Sequence, residues 1–89
     1  MTSRRFVISG RVQGVGFRYF VQSIAVRESM TGWVRNLDDG RVETAAMGEP
    51  AAMERFERAI RQGPPASRVD QVTVDDGYPM TAQNGFHIR

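Results

Sequence analysis

Cysteine and lysine are both absent from this 89-residue chain, and histidine occurs once, at His87. Without cysteine there is no disulfide framework, no thiolate nucleophile and no Cys-ligated zinc or iron–sulfur site. A single histidine cannot build a histidine metal cluster or a phosphohistidine relay, so any chemistry falls to Arg, Asn, Asp, Glu, hydroxyls and backbone. No run approaches the ~20 apolar residues of a membrane span, and the N-terminal MTSRRFVISG lacks the apolar core of a signal peptide. These absences give the expectation of a soluble, cytoplasmic protein with no membrane partner. The sequence pI is near 9.9, yet all 12 basic residues are arginines spread among ten acids, leaving a net charge of +2. With no basic tail or run there is no footprint for a polyanion, and no nucleic-acid partner is expected.

A chain of this length supports one hydrophobic core, so residues 1–89 read as a single domain. Residues 5 to 12 alternate, with Phe6, Ile8 and Val12 on one face, as a half-buried strand does. Beyond the glycine-rich GRVQGVGFR at 10 to 18, Phe17, Val21, Ile24 and Ala25 recur at helical spacing and predict a helix over 17–29. Two short strands follow, Thr31 to Asn36 and Arg41 to Met47, and the LDDG between them is a hairpin signal. Gly48-Glu49-Pro50 opens a second helix with Met53, Phe56 and Ile60 as its buried stripe, and Gly63-Pro64-Pro65 stops it. Val69, Val72 and Val74 mark a fourth strand, and after a turn at Gly77 to Pro79 come Phe86 and Ile88 in a short edge strand. The order βαββαβ, with right-handed crossovers, predicts an α+β ferredoxin-like sandwich. Its sheet is antiparallel, both helices lie on one face, and the C-terminal edge strand is short. This scaffold carries many unrelated functions, so function must be argued from a site.

The stretch GRVQGVGFR offers one. Glycines at 14 and 16 permit backbone conformations that point successive N–H groups inward, and the first helix starts there with unpaired N–H groups and its positive dipole end. Arg18 adds a fork of donors matched to phosphate oxygens. The same residues also suit a plain strand-to-helix turn with Arg18 in solvent. The stretch has no Walker lysine and misses the third glycine of a dinucleotide fingerprint. Downstream, Asn36 ends its strand, where its amide can either hold a water molecule or start the hairpin turn. Asp38 and Asp39 read as turn chemistry rather than a metal site, and Arg55, Arg58 and Arg61 with Glu54 and Glu57 read as a solvated helix face. Trp33, Phe17, Tyr19 and Phe20 are open to two readings, a stacking platform for bases or core and cover. An RNA-binding strand signature laid on Val15 to Gln22 fails at Val15, Arg18 and Gln22, and His87 reads as an outward residue without an acid–base partner.

Taken together, these residues resemble the acylphosphatases. The first family signature, G-x-V-Q-G-V-x-F-R, is met by Gly10, Val12, Gln13, Gly14, Val15, Phe17 and Arg18, and the second by Gly32, Trp33, Val34, Asn36, Gly40, Val42 and Gly48. The resemblance implies a ferredoxin-like fold and hydrolysis of acyl phosphates to a carboxylate and inorganic phosphate. It further implies an arginine that binds phosphate and an asparagine that orients water, which fall on Arg18 and Asn36 as catalytic residues. The phosphate-binding stretch is Gln13, Gly14, Val15, Gly16, Phe17 and Arg18. No cofactor and no metal are expected, and the partners are a small acyl phosphate and its product phosphate, bound by a monomer. The chemistry agrees: a carboxylate is a leaving group of low pKa that needs no strong general acid, and phosphoryl transfer mostly requires positioning and charge stabilisation. A non-catalytic anion-binding module, cut from a larger enzyme handling carbamoyl phosphate, is the alternative.

Overall fold

Alternation along the N-terminal segment produces a long strand, β1 (Thr2–Arg11), in the computed structural model, which describes residues 1–81 and 83–89. It begins before the apolar alternation does, because its first residues pair on both sides: Thr2 lies opposite Gly48, and Arg4 opposite both Ala46 and Asp76. Helix α1 (Phe17–Arg27) follows, buries Phe17, Val21, Ile24 and Ala25, and ends where Ser29 turns to a φ of 57°. Strands β2 (Thr31–Asn36) and β3 (Val42–Gly48) form the hairpin, helix α2 (Pro50–Gln62) starts on a proline, and β4 (Arg68–Asp76) and β5 (Phe86–Ile88) complete the chain. Pro50 suits the first helical position because no intrahelical acceptor awaits its missing N–H there.

The sheet order is β4-β1-β3-β2-β5. The first four strands pair antiparallel, while β5 runs parallel to β2, with Gly32 opposite Phe86 and Val34 opposite Ile88. The sheet is therefore mixed, and topology explains why. β4 ends beside Arg4, at the same end of the sheet where β2 begins. A chain that crosses that end and enters beside Gly32 must then run with β2, and the Gly32 N–H donates to the Gly85 carbonyl at 3.1 Å as it does so. Gly32 itself is required by close approach, since a Cβ there would sit 2.0 Å from the Ala45 carbonyl oxygen.

Both helices pack on one face. α1 lies over β2 and β5, α2 over β1, β3 and β4, and the two touch. Phe56 on α2 is the centre of the core, its ring 5.8 Å from that of Phe6 and 6.1 Å from that of Phe86. Among the described residues no helix is long and apolar enough to cross a membrane.

The other face of the sheet is roofed by side chains alone. Glu43 is only 4% exposed there and accepts from the Nε groups of Arg5 and Arg35, each at 2.6 Å. Trp33 lies beside it, 7% exposed, with the Arg89 guanidinium 4.5 Å and the Arg35 guanidinium 5.6 Å from its ring centre. The arginines thus shield a tryptophan and neutralise a carboxylate in one layer.

Burial pushes the Glu43 carboxyl up, but the hydrogen bonds from Arg35 and Arg5 outweigh it and hold the group below its ordinary 4.5. A group depressed in the folded state stabilises the fold above its ordinary pKa and loses that contribution as pH falls through the folded value. Glu43→Gln should therefore cost about 1–3 kcal/mol at pH 7. Urea unfolding of both proteins should show the gap narrowing below about pH 4.5; an equal gap at pH 7 and pH 3 would contradict the assignment.

Candidate active site

β1 and β2 run parallel with β3 between them, and Val42 on β3 lies opposite both Ile8 and Asn36. The C-terminal ends of β1 and β2 therefore leave the sheet at the same edge, about 9.5 Å apart at two strand spacings. From β1 the chain enters the glycine-rich loop and from β2 the hairpin turn, so tertiary pairing brings together two segments that are distant in sequence.

The loop is pinned at both ends by the core, through Val12 at 1% exposure and Phe17 at 2%. Between them Gly14 has φ 73° and Gly16 φ 74°, both left-handed, and a Cβ on either would meet nothing within 4 Å. Backbone conformation, rather than crowding from the protein, is what asks for glycine here. Gly16 is the N-cap of α1 and makes no side-chain cap, and no acidic residue occupies the first turn. The first bond of the helix runs from the Phe20 N–H to the Gly16 carbonyl at 3.0 Å. The N–H groups of Phe17, Arg18 and Tyr19 precede it and have no acceptor within the helix.

The residues that carry these groups line, with Val12, Gly14, Gly16 and Asn36, a cavity of about 110 Å³. That is several times the ~30 Å³ a water molecule occupies in the liquid. Arg18 is half-buried, and its Nη1 donates to the Arg89 carbonyl at 3.3 Å, a long bond. Among the described residues no Asp or Glu side chain pairs with Arg18. Its charge adds to the positive end of the α1 dipole. The Asn36 Oδ1 is buried and has no hydrogen-bond partner. A buried acceptor left unpaired costs roughly 1–3 kcal/mol and asks for an explanation, and Asn36 is one of the residues that line the cavity.

Of the residues singled out from sequence, Gly14, Gly16, Phe17, Arg18 and Asn36 meet in this one cavity. Val15 is half-buried and packs against the core. The Gln13 side chain instead reaches the hairpin, where its Nε2 donates to the carbonyls of Leu37 at 2.8 Å and Arg41 at 2.9 Å. Val12 and Tyr19 also line the cavity. Val12 was hidden among the core positions of an alternating strand, and Tyr19, 69% exposed, is neither core nor cover. Trp33 lies on the arginine-roofed face, away from the cavity.

The Asp-Asp-Gly segment is a turn: Asp39 accepts from the Arg41 N–H at 3.1 Å and from its Nε at 2.8 Å. The hydrogen bonds from Arg41 hold the Asp39 carboxyl below its usual range. His87 is exposed, with Nε2 2.7 Å from the Asn84 carbonyl. On α2, Arg61 pairs with Glu57, and Arg55 reaches across to Glu28. Among the described residues no three His, Asp or Glu side chains group to hold a metal ion. A larger cleft of about 560 Å³ lies between α1, the end of α2 and the Gly63-Pro64-Pro65 turn, and contains neither Arg18 nor Asn36.

A protein-family model described as Acylphosphatase matches residues 4–88. The chain is 48% identical over 86 residues to an acylphosphatase of Koribacter versatilis, spanning 97% of this chain and 78% of that protein. It is 44% identical over 88 residues to an acylphosphatase of Bacillus velezensis, spanning 99% and 98% of the two. The crystal structure of acylphosphatase from Bacillus subtilis superimposes with a TM-score of 0.96 at 43% identity, over 100% of this chain and 99% of that one. Sequence and fold thus agree along the whole chain, and this protein is an enzyme belonging to the acylphosphatase family.

Proposed function

We propose that the protein hydrolyses the carboxyl–phosphate anhydride of acyl phosphates by direct attack of an Asn36-held water on a phosphoryl group held by the glycine loop and Arg18. The observation that carries this reading is that Asn36, whose buried Oδ1 has no hydrogen-bond partner, lines the same cavity as the first residues of α1. One half of the cavity presents donors and positive charge, which suit a phosphoryl group. The other half presents an acceptor, which suits a water O–H.

In this reaction the backbone N–H groups of residues 14 to 18 and the Arg18 guanidinium bind the phosphoryl oxygens and stabilise the charge that spreads over them in the transition state. Asn36 accepts one O–H of the water, which turns an oxygen lone pair toward phosphorus. An amide has no basic site at neutral pH, so Asn36 orients and does not deprotonate. The water oxygen bonds to phosphorus as the bond from phosphorus to the acyl oxygen breaks, and the carboxylate leaves with that electron pair. The water's proton passes to a phosphoryl oxygen of the substrate, giving inorganic phosphate. No side chain needs to protonate the leaving group, because a carboxylate is already stable as an anion. The enzyme acts in this reading without metal or other cofactor, as a cytoplasmic monomer with only small-molecule partners.

Two substitutions separate the halves of the site. Arg18→Ala should abolish both benzoyl phosphate hydrolysis and competitive inhibition by phosphate, assayed with EDTA present; an active variant with unchanged KM would remove Arg18 from the cradle. Asn36→Ala should lower kcat by roughly 10² while phosphate still inhibits, the size expected for one lost transition-state contact. Loss of phosphate inhibition in that variant would place Asn36 among the anion ligands instead.

A further inference from the structure

We infer that Gln13 is a positioning residue that sets Asn36 against the phosphate loop, an assignment that rests on the reaction proposed above. Its side-chain amide has two N–H bonds, and both are used across the site. Nε2 donates to the Leu37 carbonyl at 2.8 Å and to the Arg41 carbonyl at 2.9 Å. Those two residues also close the hairpin, since the Leu37 N–H donates to the Arg41 carbonyl at 2.8 Å and the Gly40 N–H to the Leu37 carbonyl at 3.2 Å. Each carbonyl oxygen thus accepts two bonds, one from the turn and one from Gln13, and both of its lone pairs are occupied.

The register explains why such a tie is needed. The β1–β3 ladder ends at Ile8 opposite Val42, and the β2–β3 ladder ends at Asn36 opposite the same residue. β1 and β2 share no rung, because β3 lies between them. Beyond Val42 the loop at 12–16 and the turn at 37–41 leave the sheet separately. Among the described residues the two bonds from Gln13 are the hydrogen bonds that join them. Gln13 adjoins Gly14, where the cradle begins, and Leu37 adjoins Asn36, so the bridge spans one peptide unit from each half of the site. Its side chain therefore fixes the distance between phosphorus and water rather than contacting either.

An error of about 1 Å in that distance can cost on the order of 10² in rate. Gln13→Ala and the isosteric Gln13→Glu, which sets a carboxylate against two carbonyl oxygens, should lower kcat for benzoyl phosphate by about tenfold or more. In Gln13→Ala, which adds no charge beside the cradle, phosphate inhibition should stay within about twofold of the parent, because the cradle and Arg18 are intact. The decisive measurement is the double-mutant cycle. In the Asn36→Ala background, Gln13→Ala should lower kcat no further, since the residue it positions is gone.

Independent, multiplicative losses would overturn the assignment, as would an unchanged kcat in both Gln13 variants. An equal loss of phosphate inhibition in Gln13→Ala would also overturn it, by placing Gln13 in the cradle itself. If one variant fails to fold by circular dichroism, the other carries the cycle, and Gln13→Asn serves as a third. Should Asn36→Ala alone keep full kcat, the reading of the site falls. If Asn36→Ala is impaired and the Gln13 variants are not, only the inference about Gln13 falls.

Discussion

The position of β3 between β1 and β2 is the constraint on which the site depends. A strand paired antiparallel to both neighbours forces those neighbours to run the same way, and both hand their C-terminal ends to the same edge of the sheet. The loop after β1 and the residue ending β2 then meet without being near in sequence. Shared pairing to Val42 sets their level along the strands, and a slip of one residue in the β2–β3 ladder would turn Asn36 to the opposite face. The hairpin turn secures the β2–β3 register, which is why Asp39, Gly40 and Arg41 matter to a cavity none of them lines.

The glycine loop would be a floppy element by composition, yet it is short and held at both ends. Val12 and Phe17 are each inserted in the core, and full burial of such a side chain stabilises by about 1.5–3 kcal/mol. Gly14 and Gly16 need only adopt their left-handed conformations between two fixed points. The conformational entropy of ordering the loop is thereby offset during folding, and under the proposed function a phosphoryl group would meet N–H groups already arranged. The same layering appears on the opposite face of the sheet. There Arg5 and Arg35 hold Glu43, and Arg35 and Arg89 cover Trp33, so strands β1, β2 and β3 and the residue after β5 are cross-linked by side chains where no helix packs.

Most elements were legible because local chemistry marks them: alternation for β1, the Asp-Gly pair for the hairpin, Pro50 and Gly63 for the ends of α2. The resemblance of two separated motifs joined Arg18 to Asn36, and the fold brings both to one cavity. What sequence could not show is set by pairing. The parallel direction of β5 follows from which edge it reaches, and three residues carry no sign of that. The early start of β1 follows from partners contributed by Gly48 and Asp76. Trp33 has the composition of core, but strand parity places it on the open face beneath arginines. Gln13 lies inside a motif that suggests phosphate, and nothing local reveals that its amide donates to carbonyls twenty-four and twenty-eight positions on.

Charge placement completes the picture. Acidic side chains across the molecule sit against arginines: Asp76, Glu54 and Glu57 on Arg4, Glu43 and Asp75 on Arg5, Asp39 on Arg41, Asp70 on Arg68. None of the residues lining the small cavity is acidic. An acid there would repel an incoming phosphate and pair with Arg18, weakening the field at the helix end. Arg18 is half-buried and its bond to the Arg89 main-chain oxygen is long, so the reaction proposed above has it exchange that partner for a shorter bond to a phosphoryl oxygen. The proposed role of Asn36, in turn, asks for a neutral side chain. A carboxylate in its place would accept from water equally well, but would stand opposite the phosphate and oppose its binding. In the reaction proposed above, an amide acceptor orients water and leaves the positive field of the cradle intact.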